Sequence, residues 1–231
     1  MSLSIKRLSK YSWFKIKTKY KIVHIDPGYA GYFRTQGIPT TEFKDKADII
    51  FVTHFHKDHC QPLALSKISN ADTIAVAPER CIEGISDNIS NIRVIKPGDE
   101  VTFGDIRIKI VDAYNTKEGY STRKVHHKGD GVGYLVTIEG KTIYHAGDTD
   151  FIPGMKELGK VDLALLPIEG TFTMDVDEAV EAALVINLKV VIPMHSKKKG
   201  SPKEFKKKLE AKSDIEVVVL NVTQTGEYYE Y

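Results

Sequence analysis

Four side chains able to hold a metal fall within six residues, His54-Phe55-His56-Lys57-Asp58-His59. Three are imidazoles and one is a carboxylate. On an extended segment alternate residues point the same way, so His54 and His56 can reach one metal ion. Asp58 and His59 lie one turn further along and can face a second. Imidazole nitrogen with carboxylate oxygen suits zinc, manganese or iron. A plainer reading makes these surface histidines near a helix start, with Asp58 as the N-cap. That reading serves a lone histidine well. It serves four ligand-type groups beside a buried strand badly, because such groups are costly to bury without a partner.

The elements that must carry these groups are legible around them. Asp48–Thr53 reads as a continuous apolar strand running into His54. Thr142–Tyr144 runs into His145-Ala146-Gly147-Asp148, and Val190–Pro193 runs into His195. Chemistry on loops at strand ends, held by a rigid sheet, is a common construction. Further strands are expected over 12–17, 20–25, 73–76, 92–95, 106–111, 133–138, 163–167 and 215–220. Asp175 and Glu178 resemble a capping box opening a helix whose apolar face is Val176, Ala179, Val180, Ala183 and Leu184. Residues 202–210 read as a second helix, with Pro near its start and Phe205 and Leu209 four apart; 61–69 is a third candidate. No low-complexity linker interrupts the 231 residues, so one domain over 1–231 is expected. Strands come first, then strands mixed with helices, which two sheets packed face to face with helices outside would accommodate.

Composition narrows the function classes. A net charge of +2, from 33 basic and 31 acidic residues, gives no general case for nucleic-acid binding. No apolar run approaches the roughly 18 residues of a membrane helix, and no signal-peptide segment is evident, so a cytoplasmic protein is expected. Two cysteines, Cys60 and Cys81, allow one disulfide but no disulfide scaffold. Basic residues cluster locally at Lys197-Lys198-Lys199 and Lys206-Lys207-Lys208.

The loop His54-x-His56-x-Asp58-His59 resembles the HxHxDH signature of the metallo-β-lactamase superfamily and matches it at every ligand position. Ile25-Asp26-Pro27-Gly28, Tyr144-His145-Ala146-Gly147-Asp148-Thr149, Leu165–Ile168 and Ile192-Pro193-Met194-His195 are similar to further segments of that family. The resemblance covers about residues 4 to 220 and is nearest to the branch related to ascorbate-6-phosphate lactonase. It implies an α+β fold, the αββα four-layer sandwich, with two divalent metal ions, zinc first and manganese or iron as alternatives. It assigns His54 and His56 to one ion, Asp58, His59 and His195 to the other, and Asp148 to both.

Three departures stand out. Asn115 occupies the place of the family's remaining first-site histidine. Either His126 or His127 completes that site, His126 being favoured, or the site is weak or empty. The N-terminal segment reads Ser9-Lys10-Tyr11-Ser12, where relatives carry a histidine, and Ser196-Lys197-Lys198 follows His195 where Tyr-Gly is common.

The resemblance implies a hydrolase that activates water on its metals and attacks a small ester, lactone or phosphoester. Asp58 could accept a proton and His145 could touch substrate, so both are candidate catalytic residues; Asp26 is expected to brace the metal loop. The expected partner is a small molecule, anionic if Lys197–Lys199 lines the site, with oligomerisation left open. The alternatives are a phosphodiesterase or nuclease of the same fold, and a non-catalytic metal-binding protein with an incomplete first site.

Overall fold

The computed structural model describes residues 3–29, 38, 40–186, 188–196, 201–222 and 229–230. The chain divides into two compact units, one of residues 1–95 and 220–231, the other of residues 96–219.

In the first unit the strands are β1 (Ser4–Arg7), β2 (Phe14–Lys17), β3 (Ile22–Ile25), β4 (Ile49–Phe51), β5 (Ile74–Ala77) and β6 (Asn91–Val94). In the second they are β7 (Glu100–Phe103), β8 (Ile106–Ala113), β9 (Gly131–Ile138), β10 (Lys141–His145), β11 (Leu163–Pro167), β12 (Val190–Met194) and β13 (Glu216–Val217). The last strand, β14 (Tyr229–Glu230), returns to the first sheet, whose order is β14-β1-β2-β3-β4-β5-β6. The second sheet runs β13-β12-β11-β10-β9-β8-β7.

Each sheet changes character part-way. Strands β1 to β3 are antiparallel neighbours, and β3 to β6 pair in parallel. Strands β7 to β10 form an antiparallel meander, and β10 to β13 pair in parallel. Parallel pairs need crossovers. Helix α1 (Pro62–Ile68) and the short α2 (Ile82–Ile85) lie in the β4–β5 and β5–β6 crossovers of the first unit, and α3 (Val176–Ile186) and α4 (Pro202–Glu210) in the β11–β12 and β12–β13 crossovers of the second. No described helix is long and apolar enough to cross a membrane.

The cores follow from these pairings. Trp13, Ile50, Val52, Leu65 and Ile68 anchor one apolar cluster in the first unit. Tyr144, Leu166, Ala179, Ala183, Phe205 and Leu209 anchor the other in the second. The α3 face differs from the expected stripe at one end: Ala182 and Ile186 are buried, while Leu184 is exposed. The capping box is half present. Asp175 Oδ1 accepts the Glu178 N–H at 2.9 Å, but the Glu178 carboxylate accepts N–H groups from Tyr120 and Phe151 instead of reaching back. Helix α4 opens as expected, with Ser201 Oγ accepting the Glu204 N–H. Its lysines form a solvated face: Lys208 pairs with Asp177 and Glu204, and Lys206 with Glu210.

Strand β1 was not expected. Its Lys6 and Arg7 are buried, Lys6 against Glu42 and Arg7 against the carbonyls of Ser9, Lys10 and Tyr11. Desolvation brings the Arg7 guanidinium down to about 10. Cys60 and Cys81 are buried free thiols, and burial raises Cys60 to about 12. His24 is also buried and accepts the Trp13 indole N–H at 2.9 Å; burial, then Lys15, lowers it to about 3, so it stays neutral.

Phe205 has no exposed surface. Phe205→Ala is expected to cost about 3–5 kcal/mol through lost burial and the cavity left behind. Urea unfolding should show a lower midpoint with an unchanged slope.

Candidate metal centre

In the first unit the HxHxDH loop hangs from one carboxylate. Asp26 follows β3 with φ of 50°, a left-handed conformation uncommon away from glycine, and is wholly buried. Its Oδ1 accepts the Thr53 N–H at 2.7 Å. Its Oδ2 accepts the Thr53 hydroxyl at 2.7 Å and faces His59 Nδ1 at 2.7 Å. Because the Thr53 hydroxyl donates to Asp26, its oxygen accepts from His54 Nδ1 at 3.0 Å.

Both rings therefore carry their proton on Nδ1 and turn Nε2 away from these acceptors. This is the pattern of metal-ligating histidines, whose other nitrogen is held by a carboxylate or hydroxyl. His54 Nε2 lies 3.0 Å from His56 Nδ1. Two nitrogens each about 2.0–2.1 Å from one zinc ion sit about 3.3 Å apart in tetrahedral geometry. Asp58 is partly exposed, with its Oδ2 4.0 Å from His59 Nε2. The loop turns by donating the His59 and Cys60 N–H groups to the His56 carbonyl. Its backbone presses on Gly28: a Cβ there would lie 2.3 Å from both Asp58 C and His59 N, so only glycine fits.

The second unit carries the other donors. Asp148 Oδ2 lies 3.4 Å from His126 Nε2 and 3.3 Å from His195 Nε2, and all three side chains are buried. Sharp turns present two of them. Gly147, with φ of 67°, precedes Asp148, and His195 itself has φ of 46° directly after β12. His126 Nδ1 donates to the Phe172 carbonyl at 3.1 Å, so this ring also turns Nε2 toward the carboxylate.

Residues 7–195 match the model of the β-lactamase superfamily domain. The chain belongs to the β-lactamase superfamily. Within it the chain is 36% identical over 197 residues to a UPF0173 metal-dependent hydrolase of Nanoarchaeum equitans, covering 79% of this chain and 86% of that one. A UPF0173 metal-dependent hydrolase of Bacillus cereus is 37% identical over 194 residues, covering 80% and 82%. The crystal structure of a protein from Parabacteroides distasonis, assigned as a metal-dependent hydrolase, superposes with a TM-score of 0.80 at 31% identity, covering 96% and 94%. Igni18, a metallo hydrolase of Ignicoccus hospitalis, shares the fold at a TM-score of 0.78 and 22% identity, over 100% and 99% of the two chains. The α+β, metallo-β-lactamase-like class expected from the sequence is the observed one.

Asn115 has a fully engaged side chain. Its Oδ1 accepts the His126 N–H at 2.9 Å, and its Nδ2 donates to Asp150 Oδ1 at 3.1 Å and the Phe172 carbonyl at 2.9 Å. His126 is buried and faces Asp148, whereas His127 is exposed. His145 is wholly buried, and its Nδ1 accepts the Gly147 N–H at 3.2 Å, within the turn that presents Asp148. The Ser9 hydroxyl accepts the N–H groups of Tyr11 and Trp13. Lys197–Lys199 lies outside the described residues.

Sequence reasoning identified Asp26 as the brace but missed Asp150. The wholly buried Asp150 carboxylate takes the Thr116 N–H at 2.9 Å and the Lys124 ammonium at 2.9 Å besides Asn115. A Cβ at Gly119 would fall 2.3 Å from its Oδ2. Glu178 adds a second anchor on this loop through Tyr120 N, at 3.1 Å. Burial pushes its carboxyl up to about 7, against the opposing N–H donors Tyr120 and Phe151, with Asp150 and Asp175 adding to the rise.

Removing the Asp26 carboxylate strands three buried donors. Asp26→Ala should cost about 3 kcal/mol or more in the metal-free protein; a loss under about 1 kcal/mol in chemical denaturation would contradict the bracing role. Glu178 titrates higher folded than unfolded, so its stabilising contribution is complete below about pH 4.5 and lost as pH rises through about 7. Glu178→Gln should therefore flatten the decline of thermal stability across that window, measured from pH 4.5 to 8.

Proposed function

We propose that this chain is a binuclear metal-dependent hydrolase of a small ester, lactone or phosphoester. His54, His56 and His126 would hold one ion, and Asp58, His59 and His195 a second, with Asp148 shared. The observation that carries this reading is the common orientation of His54, His59 and His126. Each has Nδ1 against a protein acceptor and Nε2 turned toward a further ligand-type group: His56 for His54, Asp58 for His59 and Asp148 for His126. Nitrogen-rich donors with carboxylates fit zinc, with manganese and iron next. The curated relatives named as metal-dependent hydrolases support the reaction class.

Divalent ions at such donors supply activated water near neutral pH and polarise the oxygen under attack. The chain's own groups do the rest. Asp26 and the Thr53 hydroxyl hold His59 and His54 in the ligating tautomer. Asp58, the partly exposed carboxylate of the loop, would take a proton or orient the nucleophile. His145 is buried and bonded to the Gly147 N–H, which favours its acting by shaping the turn before Asp148. Lys197–Lys199, next to His195 in sequence, would attract an anionic substrate. If the sequence resemblance to the branch related to ascorbate-6-phosphate lactonase extends to chemistry, lactones would be among the first substrates to try.

His54→Ala combined with His56→Ala should lower bound zinc, read by elemental analysis, and reduce hydrolysis at least about 100-fold. The substrate panel is lactones, phosphodiesters, carboxylic esters and β-lactams. Chelation of the wild type should abolish turnover, and zinc should restore it. A double variant with unchanged metal content and unchanged turnover sinks the reading.

A further inference from the structure

The loop from Asn115 to His126 closes on itself at both ends. The Asn115 N–H donates to the His126 carbonyl at 2.8 Å, and the His126 N–H returns to Asn115 Oδ1 at 2.9 Å. The two residues also share an acceptor, because Asn115 Nδ2 and His126 Nδ1 both donate to the Phe172 carbonyl. The other Asn115 amide hydrogen goes to Asp150 Oδ1. Asp150 Oδ2 gathers the Thr116 N–H and Lys124, whose ammonium also reaches the Gly119 carbonyl at 2.7 Å and the Ser121 hydroxyl at 2.8 Å. The Asn115 side chain thus engages the His126 N–H, the Phe172 carbonyl that holds the His126 ring, and Asp150.

We propose that Asn115 and Asp150 are positioning residues that set the ring orientation and tautomer of His126, eleven places further along the loop. The inference rests on reading His126 as a metal ligand. An amide suits the role as an imidazole would not. It accepts from a backbone N–H while donating twice, to a carboxylate and to a carbonyl. The buried Asp150 charge is neutralised by Lys124, so the bracket carries no uncompensated anion. With the Phe172 carbonyl occupied by His126 Nδ1–H, the lone pair of that ring stays on Nε2, on the side of Asp148.

Asn115→Asp keeps an acceptor for the His126 N–H but places a carboxylate against Asp150 and the Phe172 carbonyl. Asp150→Asn weakens the same bracket more gently. Together, Asn115→Asp with Asp150→Asn reverses the polarity of the bond between the two side chains and should restore it. Two readouts follow in full-length protein. Long-range proton–nitrogen spectra of histidine-labelled, metal-free protein report the His126 tautomer. Competition titration of zinc against a chromogenic chelator reports each binding step.

The wild type should show His126 protonated on Nδ1. Asn115→Asp should give a tautomer mixture and weaken one of two zinc steps about 10–100-fold, the other step unmoved. The double variant should recover most of both. His126→Ala should lose the same single step. If His126→Ala keeps both steps, the ligand reading itself fails. If it loses one while Asn115→Asp and Asp150→Asn leave tautomer and affinity at wild-type values, the positioning proposal is overturned. Should Asn115→Asp not fold, as judged by circular dichroism, Asp150→Asn alone decides between these outcomes.

Discussion

The buried Asp26 carboxylate is the contact on which the first unit's chemistry depends. An ionised carboxylate without water is costly unless its oxygens are filled. Here three donors converge on it, and two of them belong to Thr53, the residue before the first histidine. The arrangement propagates. Because the Thr53 hydroxyl is committed to donating to Asp26, its oxygen is available only as an acceptor, which settles the proton of His54. One carboxylate therefore orders two imidazoles, one directly and one through a hydroxyl. The left-handed turn at Asp26 and the Cβ-free surface of Gly28 bring the strand end and the loop close enough for this to happen.

The second unit solves the same problem with different groups. Asp150 is also buried and also accepts several donors, but it organises a loop of backbone instead of touching a ring. Orientation reaches His126 through an amide and a main-chain carbonyl. Such polar clusters give sharp geometry when every member is satisfied and are costly when one is not. They sit at strand ends, after β8, β10 and β12, where the sheet fixes the backbone and the chain is free to turn.

Much of the architecture was legible from apolar periodicity. The buried runs at β4, β11 and β12, and helix α4 at 202–210, fall where their patterns place them. Strand β1 was not legible, because Lys6 and Arg7 read as solvent-facing and are in fact buried against Glu42 and three carbonyls. Glu178 misled in the same way. Its spacing from Asp175 signals a cap, yet its carboxylate joins residues 58 and 27 positions away. A charge pattern read locally cannot register a partner that only folding supplies.

The ligand types, their spacing and their place at strand ends follow from the sequence alone, since alternation along an extended chain and the apolar runs beside it are local properties. The bracing role of Asp26 was also expected, from the resemblance carried by Ile25-Asp26-Pro27-Gly28. Which of His126 and His127 faces the buried Asp148 was not legible. His126 and His127 are adjacent and chemically identical in sequence. One is buried against Asp148 and the other faces solvent, because the Phe172 carbonyl lies 46 positions from His126 in the chain and within reach of its ring in the fold. The same carbonyl and Asp150 take both amide hydrogens of Asn115. That choice belongs to the tertiary structure, because it depends on long-range hydrogen bonds whose partners the chain brings together only when it packs.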